Sequence, residues 1–293
     1  MSAVRRPGLS PVWWVLGSIL SVQVGAAIAK GLFDQVTPTQ MVWLRLATST
    51  IVLLAIARPR LRGRSRRDWL GALGYGLSLA CMNWAIYQSF ARIPLGLAVT
   101  IEFIGPLAVA AFASRALRDL VWVVLAGLGV ALLGFGPTAL DPLGVAFALL
   151  AGAGWGAYIL TGRVVGGRWS GLSGLGVASA IALLVMTPAL AAGDPTDMWR
   201  PEILLIGAAV GLLSSVIPYS LELVALRRIP PRVFGILMSL EPAAAALAAL
   251  ILLGERLSVL ELVAMVCVVV ASVGATRSRV ERGTERGSIA QEP

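Results

Sequence analysis

Three carboxylates and one guanidinium lie where a charge is expensive. Glu102, Glu222 and Glu241 fall inside long apolar stretches, and so does Arg45. A charge at the centre of a bilayer costs about 2.5–3.5 kcal/mol on insertion scales, so such residues tend to face a cavity or a partner. A buried carboxylate can bind a substrate ammonium, and a desolvated one can also carry a proton. Arg45 suits either a structural counter-ion or a clamp on a substrate carboxylate. Lys30, near the outer end of the first apolar run, is a further possible counter-ion. The chain has no histidine, so proton carriage would fall to a carboxylate. There is no phosphate-binding loop, nucleophile elbow or metal-ligand pattern, so neither an enzyme nor an ATP-driven pump is expected. No cofactor or metal is implied.

The elements that must hold these groups are membrane spans. Of 293 residues, 58% are hydrophobic and 13% charged, against roughly 25% charged in soluble domains. Mean hydropathy is +0.85. Apolar runs of membrane length follow one another at about 11–33, 39–57, 69–90, 95–114, 119–136, 143–163, 171–192, 201–223, 232–253 and 257–275. Breaks between them carry turn and charge signals such as Thr37-Pro38, Arg58 to Asp68, Asp141-Pro142, Gly193 to Pro195 and Gly254 to Arg256. The run after Arg5 and Arg6 is too long for a cleaved signal and reads as a retained first span. Cys81 and Cys267 both lie within spans and read as small packing residues.

Arginine and lysine positions set the orientation. With the N-terminus in the cytoplasm, that side holds Arg5 and Arg6, six arginines over 58–67, Arg115 and Arg118, Arg163 and Arg168, three over 227–232 and four over 277–286, which makes 19. The other side holds four: Lys30, Arg92, Arg200 and Arg256. This bias predicts both termini inside and an even number of spans. It also accounts for the net charge of +9 without a nucleic-acid partner, because the arginines sit in short loops.

Residues 92–106, RIPLGLAVTIEFIGP, return as 228–242, RIPPRVFGILMSLEP, at one offset of 136 (228 − 92). Each copy carries a helix-breaking proline, Pro106 and Pro242. Five spans per half is an odd number, so the second half must enter the membrane from the opposite side. The expectation is an all-α polytopic membrane protein of ten helices in two inverted five-helix repeats, 11–136 and 143–275, with a disordered cytoplasmic tail at 276–293. In such carriers the site lies between the halves near the midplane.

Within that frame Glu241 stands directly before Pro242, and Glu102 stands four residues before Pro106 on one helix face. Glu102 maps to Met238 (102 + 136), one turn from Glu241. Other polar and aromatic residues share faces: Asn83 with Tyr87, Trp155 with Tyr158, Ser215 with Tyr219 and Glu222, and Gln23 with Lys30. Tyr219 maps onto Asn83 at the same offset. Glu222 has a second reading, as a marker of the cytoplasmic end of its span. Trp13, Trp14, Trp43, Trp69 and Trp199 sit near span ends and read as interface anchors. A cavity lined by an amide, hydroxyls, rings and acids suits a small zwitterion. A carrier of another metabolite or drug, and a non-transporting membrane assembly protein, remain the alternatives.

The stretches SVQVGAAIAKGLF (21–33), IPLGLAVTIEFIGPLAVA (93–110), GAGWGAYIL (152–160), PYSLELVALRRIP (218–230) and FGILMSLEPAAAALA (234–248) occur in this order over a chain that, from about 12 to 276, resembles the EamA-type branch of the drug/metabolite transporter superfamily. The resemblance implies ten helices around a central cavity lined by spans 1, 3, 4, 6, 8 and 9. It implies a bacterial inner-membrane exporter of small amino acids of the threonine and homoserine kind, exchanging them for protons by alternating access. The partners would be the amino acid, protons and the bilayer, with a homodimer left open. The related small multidrug exporters use a glutamate in their first helix. Gln23 stands in that region here, which argues against drug exchange by that route.

Overall fold

The computed structural model describes residues 10–114, 117–135, 140–190 and 194–289. Among these, all regular structure is helical and no strand occurs. The helices are α1 (Pro11–Lys30), α2 (Pro38–Ala57), α3 (Arg66–Phe90), α4 (Leu95–Glu102), α5 (Ile104–Ser114), α6 (Leu117–Leu133), α7 (Pro142–Gly166), α8 (Ser173–Leu190), α9 (Pro201–Gly211), α10 (Ile217–Leu226), α11 (Pro231–Met238), α12 (Glu241–Leu253) and α13 (Val259–Ile289). A π turn, Leu212–Val216, joins α9 to α10. Arg5, Arg6, Arg115, Gly193 and the far ends of the expected spans 119–136 and 171–192 lie outside the described residues.

Helix starts follow local chemistry. Thr37 and Gln40 close a capping box on α2, with Pro38 at the first helical position. Ser65 and Asp68 do the same for α3. The Asp141 carboxylate accepts from the Leu143 N–H at 2.9 Å to open α7. Gly254 ends α12 at φ 69°, a left-handed conformation that costs glycine nothing.

Seven helices, taking α9–α10 and α11–α12 as continuous, are long and apolar enough to cross a membrane. Two shorter apolar stretches, Leu95–Ala110 and Leu120–Leu133, cover the regions expected as spans four and five. The 25-residue α3 is long enough but more polar, because it carries Arg66, Arg67 and Asp68 at one end and Asn83 and Gln88 further on. The outer surface is apolar in the way a lipid-facing surface must be: Ile51, Leu205, Ile251 and Val259 are each about 70–80% exposed. Patches of that kind are rare on soluble monomers.

α3 packs along α7, α6 along α13, α2 against α8, α1 against α10, and α4 against α12. Among the described residues no comparable packing joins α5 to α11. The expected tail at 276–293 departs from its reading as disordered chain, since α13 continues as helix through Ile289. Glutamate and arginine are good helix formers, and the segment prolongs a helix already nucleated in the bundle.

Candidate functional site

Prolines build the site by leaving carbonyls without partners. Pro106 has no N–H to return to Glu102 four residues back, and the helix breaks there into α4 and α5. The Glu102 carbonyl meets α7 at Gly152, where a Cβ would come within 2.6 Å of that oxygen, so only glycine admits the contact. Pro242 treats Met238 in the same way, and the chain breaks between α11 and α12. The third case is Pro218. It leaves the Ser214 carbonyl free in the π turn, and Arg45 Nη2 donates to that carbonyl at 2.7 Å. Arg45 Nε donates to Ser215 Oγ at 3.0 Å.

Between these breaks lies a cavity of about 350 Å³. That volume is at the low end of small-molecule sites, roughly 300–1,000 Å³. Its wall takes Gln23 from α1, Arg45 from α2, Asn83 and Tyr87 from α3, and Glu102 from α4. It also takes Pro106 from α5, Trp155 and Tyr158 from α7, Tyr219 and Glu222 from α10, and Glu241 from α12. These residues, all singled out from the sequence, face one space, whereas Ser215 and Lys30, grouped with them by helical spacing, do not line it. Pro242 is buried behind the wall and does not line it.

The three acids differ in surroundings. Glu222 accepts from Ser18 Oγ at 2.6 Å, so it belongs to the cavity wall rather than only to a helix end. Glu102 closes α4, where free carbonyls gather; Glu241 opens α12, where free N–H groups gather. None of the three has an ion-pair partner among the described residues. Lys30, considered as their counter-ion, instead pairs with Glu255 at 2.5 Å. Arg45 likewise bonds Ser214 and Ser215, and it lies 5.6 Å from the Tyr87 ring centroid. Asn83 donates to the Leu79 carbonyl at 2.8 Å, Trp155 meets Phe103 edge-on at 5.3 Å, and Tyr158 stacks on Tyr75 at 4.6 Å. Among the described residues no group of three or more Cys, Asp or Glu could hold a metal ion.

Sequence reasoning missed Ser214, Pro218 and Glu255. The signal for the first two was present: a proline four residues after Ser214, in the same relation as Pro106 to Glu102. Glu255 gave no such signal, because it follows α12 in an ordinary turn. It bonds both Lys30 and the Leu95 N–H, the latter at 2.8 Å, and so ties the ends of α1, α4 and α12 together. Lys30 also donates to the Ile93 carbonyl at 2.8 Å. Next to this lock a Cβ at Gly96 would come within 3.0 Å of Ala246 Cβ, which shows how tightly α4 and α12 meet. In the other direction the cavity runs past Ala110, Phe234 and Thr276, between α5 and α11. Trp13, Trp69 and Trp199 are exposed near span ends.

A helical membrane protein with paired helix breaks around an acid-lined cavity has the build of a solute carrier. Residues 142–277 match the EamA-like transporter family. The chain is 43% identical over 280 residues to the threonine/homoserine exporter RhtA of Salmonella typhimurium strain LT2, covering 94% of each chain. It is 43% identical over 277 residues to the protein of that name in Escherichia coli K12, covering 93% of each. The chain therefore belongs to the EamA-like transporter family, whose members are transporters and not enzymes. A crystal structure described only as that of a protein superposes with a TM-score of 0.63 at 18% identity, over 92% of this chain and 98% of the other. That likeness speaks for the fold alone.

Proposed function

We propose that this protein is a secondary active exporter of small amino acids, threonine and homoserine among them, in a bacterial inner membrane. The observation that carries the reading is the meeting of Glu102, Glu222 and Glu241 in one cavity between two broken helices. The relatives' printed names supply the substrate class.

Alternating access follows from the repeat. α4, Leu95–Glu102, corresponds residue for residue to α11, Pro231–Met238, at the offset of 136 (231 − 95). Packing pairs correspond in the same way: α3 with α7 to α10 with α1, and α3 with α8 to α9 with α2. Both features support ten spans in inverted halves, 11–136 and 143–275. In such a frame the contact of α4 with α12 is the counterpart of the missing contact of α11 with α5. Exchanging the two closes the 231/276 end and opens the Lys30 end. The arginine bias puts the 231/276 end and both termini in the cytoplasm. A cytoplasmic amino acid enters there, and a cavity carboxylate receives its ammonium. Protons arriving from the far side neutralise the acids and release the amino acid. An inward proton gradient thus drives export, with no nucleotide required.

Resistance tests this. Cells overproducing the protein are expected to tolerate added homoserine or threonine, and Glu241→Gln removes the tolerance. Unchanged efflux by Glu241→Gln at normal protein levels overturns the site. Counterflow in proteoliposomes across a pH gradient tests coupling, and flux indifferent to the gradient overturns proton exchange.

A further inference from the structure

Arg45 is a buried cation to which no carboxylate among the described residues is bonded. It is 7% exposed, and its printed partners are a backbone carbonyl and a serine hydroxyl. Guanidinium does not deprotonate in proteins, so its charge persists. A buried charge without an opposite one is costly. Around it stand polar atoms with unspent hydrogen-bonding capacity. Among the described residues the Tyr87 hydroxyl, the Ser214 hydroxyl and Gln23 Oε1 have no partner, and their residues are 0%, 2% and 2% exposed. Their residues line the cavity, as Arg45 does, with the Ser214 hydroxyl set against Gly25 of α1. Each buried unsatisfied group needs a reason.

Two of the orphans are donors, and they lie close to the cation. Ser214 is the residue whose carbonyl Arg45 holds, and Tyr87 is the ring beneath the guanidinium. Gln23 Oε1 is an acceptor, as are the glutamates. The Arg45 wall thus offers the guanidinium and two hydroxyls as donors, while Gln23, Glu222 and Glu241 add acceptors and Glu102 lies within electrostatic reach of the guanidinium. We propose that Arg45, with the hydroxyls of Ser214 and Tyr87, receives the α-carboxylate of the transported molecule, while Gln23 and the acids face its ammonium. This rests on the reading as an amino-acid carrier and adds the basis of its selectivity. The transported class is the free α-amino acid, and esters, amides and decarboxylated amines are excluded. Carboxylate geometry matches a planar guanidinium better than an ammonium.

The experiment is threonine counterflow in proteoliposomes, with threonine, threonine methyl ester and 1-amino-2-propanol as competitors. Wild-type protein is expected to bind the ester and the amine at least about 30-fold more weakly than threonine, because each leaves a buried cation unpaired. Tyr87→Phe and Ser214→Ala each remove one neutral hydrogen bond. Each is expected to raise the KM for threonine about 2- to 10-fold at unchanged kcat and to leave competition by the amine unaltered. Arg45→Lys is expected to keep transport with selectivity against the ester reduced. If threonine is carried but the ester and amine compete equally well, the carboxylate subsite is overturned while amino-acid export stands. If Tyr87→Phe and Ser214→Ala lower kcat or protein yield alone, the groups are structural and the subsite is overturned. If no amino acid is carried at all, export and subsite fall together.

Discussion

The two ends of the cavity are built from matching sequence and stand in opposite states. At the Lys30 end α4 and α12 touch, Gly96 lies against Ala246, and Lys30, Glu255 and the Leu95 N–H form a lock. At the 231/276 end, among the described residues, α5 and α11 make no comparable contact, and the cavity lining reaches Ala110, Phe234 and Thr276. Two segments that share Arg-Ile-Pro and a later proline, 92–106 and 228–242, pack differently at the two ends. The difference therefore resides in a few side-chain contacts rather than in the helices themselves. Small contact energies can hold one of two near-equal states, which is the condition for a carrier to switch.

The largest effect is expected from making the closed end permanent. Gly96→Cys with Ala246→Cys, in a background lacking Cys81 and Cys267, joins α4 to α12 by a disulfide once the two helices give by a few tenths of an ångström, since a Cβ at 96 lies 3.0 Å from Ala246 Cβ and a disulfide spans about 3.5–4.5 Å. Oxidation should abolish counterflow and reductant should restore it. Full flux with the cross-link in place would mean that this end need not open. Next in size is Gly152→Val, which drives a side chain into the Glu102 carbonyl. Overpacking of this kind costs about 1–3 kcal/mol, read as a lower thermal midpoint in detergent. An unchanged midpoint would show that the break in α4–α5 tolerates more room than its geometry allows.

A smaller effect is expected from Lys30→Met. It removes a partly exposed ion pair of about 1 kcal/mol, which is about a fivefold shift toward the open Lys30 end. Labelling of a single cysteine at position 99, on the cavity wall, by an impermeant thiol reagent from that side measures the shift. No increase in labelling would mean that helix packing alone holds the end shut.

The smallest effect concerns Asp68, in the polar first turn of α3 outside its apolar part. Hydrogen bonds from Arg168 and from the Ser65 cap hold its carboxyl at about 2, below the usual 3.8. A lowered carboxyl stabilises above its ordinary value, and the contribution is lost only as pH falls through about 2. Between pH 5 and 8 Asp68→Asn should therefore leave the pH profile of transport unaltered. A changed profile would move part of the coupling out of the cavity.

What could be read from the chain were the features with a local cause. Apolar runs marked spans because each backbone group in lipid must find its partner inside its own helix. Pro106 and Pro242 marked breaks because a missing N–H acts four residues away. Glu102, Glu222, Glu241 and Arg45 stood out because each is costly wherever it meets hydrocarbon. Helical spacing put Asn83 with Tyr87 and Trp155 with Tyr158 before any fold was known. The same proline logic would have found Ser214 had Pro218 been read as a break, and the helix over 276–289 was missed because composition was weighed without the neighbouring span.

Other features had no local cause. Lys30 chose Glu255, 225 residues away, because the ends of α1, α4 and α12 converge there. Arg45 found the Ser214 carbonyl because α2 crosses the π turn. Which end is shut is likewise invisible in the chain, since the repeated segments can pack either way. Sequence alone determined what had to be hidden from lipid and where helices had to break, because those energies belong to single residues and their near neighbours. The tertiary structure decided which buried groups found partners and which were gathered around one cavity, because that energy depends on helices meeting from distant parts of the chain.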